Sequence, residues 1–139
     1  MNTMKRIKLL KKINDIFEYK TIDGEEKNQF VVFKKCKLSK MKGIVDKTEF
    51  EATENHIHII DEIKENEFIF LIDFAKTIGL AVLTNLNFHY PKRKFAVFVT
   101  IKLHDSFIVR FHQIWENELP YFDVNDFKNS DERIFVFYS

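Results

Sequence analysis

The sequence predicts an α+β domain: an antiparallel sheet of about five strands packed against an N-terminal helix and a central helix. Three observations carry this. Apolar residues recur at intervals of three or four near the N-terminus and again from Phe68 to Leu83, the period of a helix face. They alternate one by one from Phe95 to Leu103, from Phe107 to Trp115 and from Arg133 to Ser139, the period of a strand. The chain has 139 residues, the size of one domain, with no repeat or linker to divide it. A single domain over residues 1–139 is expected.

Taken in order, Met4, Ile7, Leu10, Ile13 and Phe17 define the apolar face of a first amphipathic helix, with Lys5, Lys8, Lys11, Lys12 and Asp15 on the other side. Asp23-Gly24 signals a turn before a strand-like run from Gln29 to Lys37, whose buried part is Phe30 to Phe33. The basic stretch Lys34 to Lys47 reads as a loop or an edge strand. Between Thr48 and Ile60 the alternation around His56-Ile57-His58-Ile59 predicts a short strand, before a helix beginning near Asp61. That central helix carries Phe68, Leu71, Ile72, Ala75, Ile78, Val82 and Leu83 on one face, with Phe70, Phe74 and Ala81 adding apolar surface to a second, and ends before Asn85. Gly79 lowers its helix propensity, so close packing against the sheet is the expected reason for it.

The clearest strands form a hairpin. Phe95, Val97, Val99, Ile101 and Leu103 face the core with Phe107, Val109, Phe111 and Trp115. A loop of Asp105, Ser106 and Phe107 would pair His104 with Ile108, Lys102 with Arg110 and Thr100 with His112. The last strand, Arg133 to Ser139, is apolar on both faces and is expected inside the sheet.

Composition narrows the function classes. Cys36 is the only cysteine, so an internal disulfide or a cysteine-rich zinc site cannot form, and a reducing, cytoplasmic setting fits. Neither a signal peptide nor a membrane span is read: the window from Phe68 to Leu83 is interrupted by Asp73 and Lys76 and is shorter than a bilayer requires. Gly24, Gly43 and Gly79 stand too far apart for a phosphate-binding loop, and no cofactor motif or catalytic set is recognisable. The net charge of +1 hides an asymmetry: Met1 to Lys47 holds 13 Lys and Arg against 6 Asp and Glu, while the remainder holds 9 against 15.

Several groups deserve a chemical reading. Cys36 lies among Lys34, Lys35, Lys37 and Lys40, charges that favour a thiolate. His56 and His58, on one side of a strand, would supply two metal positions with Glu51 or Glu54, against the simpler expectation of a solvated strand face and no metal. Lys102, His104, Arg110 and His112 gather on the polar face of the hairpin as a candidate anion patch, or as the site of a small-ligand-binding or enzymatic domain. Lys34 to Lys47 and His89 to Lys94 mix cations with aromatics, the pattern of a nucleic-acid surface, although the near-neutral chain argues against that partner. From Trp115 to Glu132, acids and aromatics dominate, the composition of an interface for a basic protein. Its candidate contacts are Trp115, Glu116, Glu118, Tyr121, Asp123 and Asp126.

In its size, its α+β pattern and this acidic, aromatic C-terminal third, the chain resembles the immunity proteins that bacteria make against secreted or contact-delivered toxins. The resemblance implies a non-enzymatic, cytoplasmic protein that binds a cognate toxin, often a basic nuclease, and blocks it by charge and shape complementarity.

Overall fold

In the computed structural model, which describes residues 1–37, 46–121 and 131–139, an α+β fold is built from three helices and two antiparallel sheets. Helix α1 (Thr3–Asp15) begins where the Asn2 side chain accepts from the Lys5 N–H at 2.8 Å. A hairpin follows, β1 (Tyr19–Asp23) and β2 (Gln29–Phe33), in the register Tyr19↔Phe33 to Asp23↔Gln29. Its connection is a short 3-10 turn in which Glu26 and Lys27 take φ of 58° and 61°. The first of these strands is too short and too mixed in polarity to register as a pattern in the sequence.

Helix α2 (Lys47–Glu54) occupies part of the stretch expected to alternate. End groups decide for the helix: Asp46 Oδ1 accepts from the Glu49 N–H at 3.0 Å, and Glu118 accepts from the Thr48 N–H and hydroxyl, both at 2.7 Å. Strand β3 (His56–Ile60) comes next, then α3 (Glu65–His89), β4 (Phe95–Lys102), β5 (Phe107–Gln113) and β6 (Glu132–Tyr138). The central helix thus starts four residues after the expected Asp61 and runs past Asn85 to His89. Most of Lys34 to Lys47 lies outside the described residues.

Instead of one sheet of about five strands, two strands form one sheet and four form the other, in the order β3-β5-β4-β6. The hairpin faces are as expected, but its register is not. Phe95 pairs with Gln113, Phe98 with Arg110, Thr100 with Ile108 and Ile101 with Phe107. The turn is Leu103 to Asp105, with His104 at φ 63°, and the Lys102 N–H donates across it to the Ser106 carbonyl at 2.9 Å. Burial of Phe107 accounts for the difference: a loop position would expose it, whereas here it is fully buried between Ile101 and Ile60. Among the described residues strand β6 is an edge, paired with β4 alone, and not an interior strand. Its second apolar face arises because α3 covers Phe135 and Phe137.

The core lies between α3 and the large sheet. Leu71, Ala75, Ile78, Val82 and Leu86 form the buried stripe of α3 against Val97, Val99, Val109 and Phe111. The helix is long and apolar enough to cross a membrane, and here 39% of its most apolar stretch is buried, with β4 and β6 packed against its inner side. Gly79 has the expected reason: a Cβ at this position would meet the ring of Phe137 on β6. In G79A the helix-propensity gain of about 1 kcal/mol is expected to be outweighed by about 1–3 kcal/mol of overpacking. Denaturant titration should therefore show G79A less stable than the parent, and G79A more stable than its background once F137A has removed the ring; an additive pair would remove this account.

Candidate functional site

The most constrained polar group is Glu51 on α2, which is fully buried. Its Oε1 accepts from the Gln113 N–H at 2.8 Å and the Trp115 indole N–H at 2.7 Å. Its Oε2 accepts from the Val31 N–H at 3.0 Å and Gln113 Nε2 at 2.8 Å. Burial pushes the carboxyl up to about 7, against these four donors, which favour the charged form. A raised carboxyl in an interior is a familiar sign of catalysis, but all four acceptor positions of this one are occupied by the protein itself. Glu51 is a structural group.

One helical turn on, Asn55 accepts from the Phe33 N–H at 2.7 Å and donates to the Phe111 carbonyl at 2.9 Å. Arg93 extends the cluster, donating to the Gln29 carbonyl and side chain and to Gln113 Oε1. The cationic run from His89 to Lys94 therefore turns its arginine inward, leaving Lys92 and Lys94 exposed.

The four residues of the candidate anion patch do not converge. Arg110 stands opposite Phe98 and His56, donates to the Ala52 carbonyl at 3.0 Å and has the Tyr121 ring 5.3 Å away. His112 is buried; its Nδ1 contacts the Gln113 carbonyl at 2.7 Å and its Nε2 accepts from the Tyr121 N–H at 3.3 Å, an arrangement that assigns a neutral ring. Burial accordingly lowers its pKa. Lys102 pairs in register with Glu132, and His104 sits in the turn with Nε2 3.9 Å from Glu65. Along β4, Lys102 is four residues from the partner of Arg110, about 13 Å.

Of the acidic, aromatic segment, two residues are committed to the fold. Trp115 holds Glu51 and packs on Phe30, with Lys47 Nζ 5.0 Å from its ring. Glu118 caps α2. Burial alone would raise the Glu118 carboxyl, but the donors of Thr48 and Lys47 hold it below its ordinary value. Glu116 is exposed, Tyr121 is half-buried over Arg110, and Asp123 and Asp126 lie outside the described residues. The lysines do not lower Cys36: burial pushes its thiol up. His56 and His58 do share a side, with ring centroids 5.4 Å apart, but His56 Nδ1 is held by the Thr53 carbonyl at 2.8 Å and Glu51 points elsewhere.

The exposed apolar surface is helical, and on the central helix it includes Phe70 and Phe74 of the second apolar face. In α1 the residues that reach the core are Leu9, Ile13 and Ile16 at its end, whereas Met4 and Leu10 of the expected core stripe are 62% and 63% exposed. Ile69 and Phe70, in the first turns of α3, are 78% and 60% exposed. Leu10, Ile13, Phe70 and Phe74 line an apolar groove of about 460 Å3 between the two helices. On the other flank of α1 a groove of about 480 Å3 along β3 is lined by Lys5, Lys8, Lys11, Lys12 and Lys64. Lys5 is tied to Glu67 at 2.6 Å; Lys8, Lys11 and Lys12 make no ion pair among the described residues. A second stripe in the sequence, Leu9 with Ile13 and Ile16, was the available signal.

Fold and surface together define a small α+β domain with an apolar, lysine-bordered helical face. The model of the Uncharacterized protein PM0498 family matches residues 1–139, and the chain belongs to that family. No curated protein and no solved structure matches it.

The Glu51 carboxyl fixes a pH dependence. A group raised on folding stabilises below its unfolded value, near 4.5, and that stability is lost as pH rises through about 7. Half-buried His56 and buried His112 are lowered on folding and act with the opposite sign, their contribution being lost as pH falls through 6.5 and below. The difference between parent and E51Q is therefore the readout: it should shift by on the order of 3 kcal/mol in favour of the variant between pH 4.5 and 8. A difference independent of pH in urea melts would contradict the raised carboxyl.

Proposed function

We propose that this chain is a protein-binding domain that acts by covering a partner's surface, as toxin-immunity proteins do, and that α1 with the first turns of α3 makes the contact. The observation that carries this reading is the apolar groove lined by Leu10, Ile13, Phe70 and Phe74, with Leu10 and Phe70 each more than half exposed on adjoining helices. Soluble monomers seldom present contiguous apolar surface that no function uses. Lys8, Lys11 and Lys12 beside it favour a partner whose apolar centre is bordered by acids.

The acidic segment is the second surface of this reading, through Glu116, which points outward. Commitment of Trp115 and Glu118 to the packing of α2 favours the helical face over it. A cognate toxin remains the proposed class of partner, supported by the resemblance in size, fold class and composition.

Co-purification with the product of the neighbouring gene tests both surfaces. L10D and F70D are each expected to weaken the complex at least about tenfold, the loss of an interface anchor, while E116A leaves it within about twofold. Loss with E116A and not with L10D or F70D would move the interface to the acidic segment; circular dichroism of each variant checks that the fold is retained.

A further inference from the structure

The groove on the other flank of α1 is charged on one side. Helix α1 packs along β3 and runs antiparallel to it. Near its start Lys5 is tied to Glu67 of α3, which also accepts from the Lys64 N–H at 3.0 Å. At its end Asp15 pairs at 2.8 Å with Lys35, next to Cys36, whose Sγ is 3.9 Å from the His56 carbonyl. The groove of about 480 Å3 between helix and strand has Met4, Lys5, Lys8, Lys11 and Lys12 along one wall and exposed His58 on the other. Asp61, Glu62 and Lys64 close the end beside Lys5.

Lys5, Lys8 and Lys12 follow one another at three and four residues, so they form a single ridge along the groove, and like charges at these spacings repel on a helix. The one acid of α1, Asp15, is buried at the far end and already paired. Lys8, Lys11 and Lys12 are exposed and enter no ion pair among the described residues. Their mutual repulsion is therefore not relieved within the described fold, and an anion seated in the groove would relieve it.

We infer that this groove takes an extended acidic segment of a partner protein, with acids on alternate residues facing Lys8 and Lys12. The inference rests on the protein-binding reading above and names the chemistry of the contact beside the apolar face. Spacing fits an extended chain: Lys8 and Lys12 are about 6 Å apart along the helix axis, and side chains on one face of a strand recur about every 6.6 Å. A helix some 10 Å across would fill the groove with little more than one turn, too short to follow a ridge of about 10 Å from Lys5 to Lys12. The far wall suits a strand as well, since the outer edge of β3 has no neighbouring strand among the described residues. Asp61 and Glu62 repel an acid at their end, where Glu67 already meets Lys5, so the acids of the segment belong opposite Lys8 and Lys12. The same two carboxylates interrupt the positive stretch that a continuous phosphate backbone would need, which favours a peptide over a nucleic acid.

A short capped peptide of alternating Glu and Thr, titrated at low salt to about 1 mM into the isotope-labelled whole chain, tests this through the amide resonances of Lys8, Lys12 and His58. Those amides should shift, and a peptide of the same composition with its Glu residues in one block should bind at least about threefold more weakly. K8E should weaken peptide binding about fivefold with a melting temperature no lower than the parent's, because a Glu placed four residues before Lys12 is a favourable pair. Absence of shifts in the groove, a K8E variant that binds the peptide as the parent does, or a short oligothymidylate that binds more tightly than the peptide overturns the acidic segment. Equal affinity for the block peptide overturns the extended arrangement. Co-purification with the neighbouring gene product separates this inference from the reading beneath it. A complex lost with L10D yet kept within about twofold with K8E overturns the groove and leaves the apolar face standing. A complex indifferent to L10D and F70D, with peptide binding intact, overturns the apolar face and leaves the groove.

Discussion

The two sheets are joined by side chains of α2, and the rest of the domain depends on that junction. Strand β3 pairs with β5 only as far as Arg110, so from Phe111 to Gln113 the edge of β5 lacks a neighbouring strand among the described residues. The outer edge of β2, at Val31 and Phe33, is likewise without one, since β1 lies on its other side. Both edges are buried. Buried backbone groups must be paired, and Glu51 and Asn55 do this from between them, each reaching β2 on one side and β5 on the other. The fit is metric. Residues four apart on a helix are separated by about 6 Å along its axis, and residues two apart on a strand by about 6.6 Å. An i, i+4 pair therefore meets successive outward N–H and carbonyl groups on both strands, and α2 takes the place that a strand would have filled. Its N-terminal cap from Glu118 and the Trp115 donation to Glu51 place the segment after β5 in the same junction.

What was legible in the sequence was what a single period can encode. The stripe from Phe68 to Leu83 and the alternation from Phe95 to Phe111 are carried by the element itself, and both faces came out as read. The α+β class followed from them. Register and junction are properties of two elements at once. Whether Phe107 turns or pairs depends on Ile60, on a strand nearly fifty residues earlier in the chain. Glu51 and Asn55 look like ordinary polar residues of a short, charged helix until β2 and β5 are placed beside them. For α1 the sequence offered two apolar stripes. Burial favours Leu9, Ile13 and Ile16, and the more regular stripe through Met4, Ile7 and Leu10 faces outward. Periodicity reports that a helix has an apolar face without reporting which of two such faces is covered.

Charge illustrates the same limit. The basic first part and the acidic remainder of the chain are joined by Lys5 with Glu67 and by Lys47 with Glu118. Part of the asymmetry is thus internal neutralisation at the places where α1 meets α3 and where α2 is capped. The candidate patch at Lys102, His104, Arg110 and His112 dissolved for a related reason. A four-residue change of register separates its two cations, and the buried end of β5 is where a neutral histidine can be satisfied by backbone groups on both ring nitrogens.

The surfaces left over follow from an unequal pairing of lengths. Helix α3, at 25 residues, extends about 37 Å, whereas α1, at 13, extends about 20 Å. The sheet covers the inner side of α3 along its whole length, through β4 and β6. Helix α1 packs over β3 beside α3 and meets it only near its first turns, where Lys5 pairs with Glu67. A sequence that had to stay monomeric would be expected to place charges on the uncovered turns, as edge strands and exposed faces usually carry them. Here the exposed positions after Lys76 are Thr77, Leu80, Thr84, Asn87, Phe88 and His89, with no Asp, Glu, Lys or Arg among them. On α1 the outward side keeps three aliphatic residues among lysines. Folding of the monomer requires neither feature, because the core is closed without them. The apolar content of both helices exceeds what their contacts within the chain consume, and that excess lies on the one layer of the domain that the sheet does not shield.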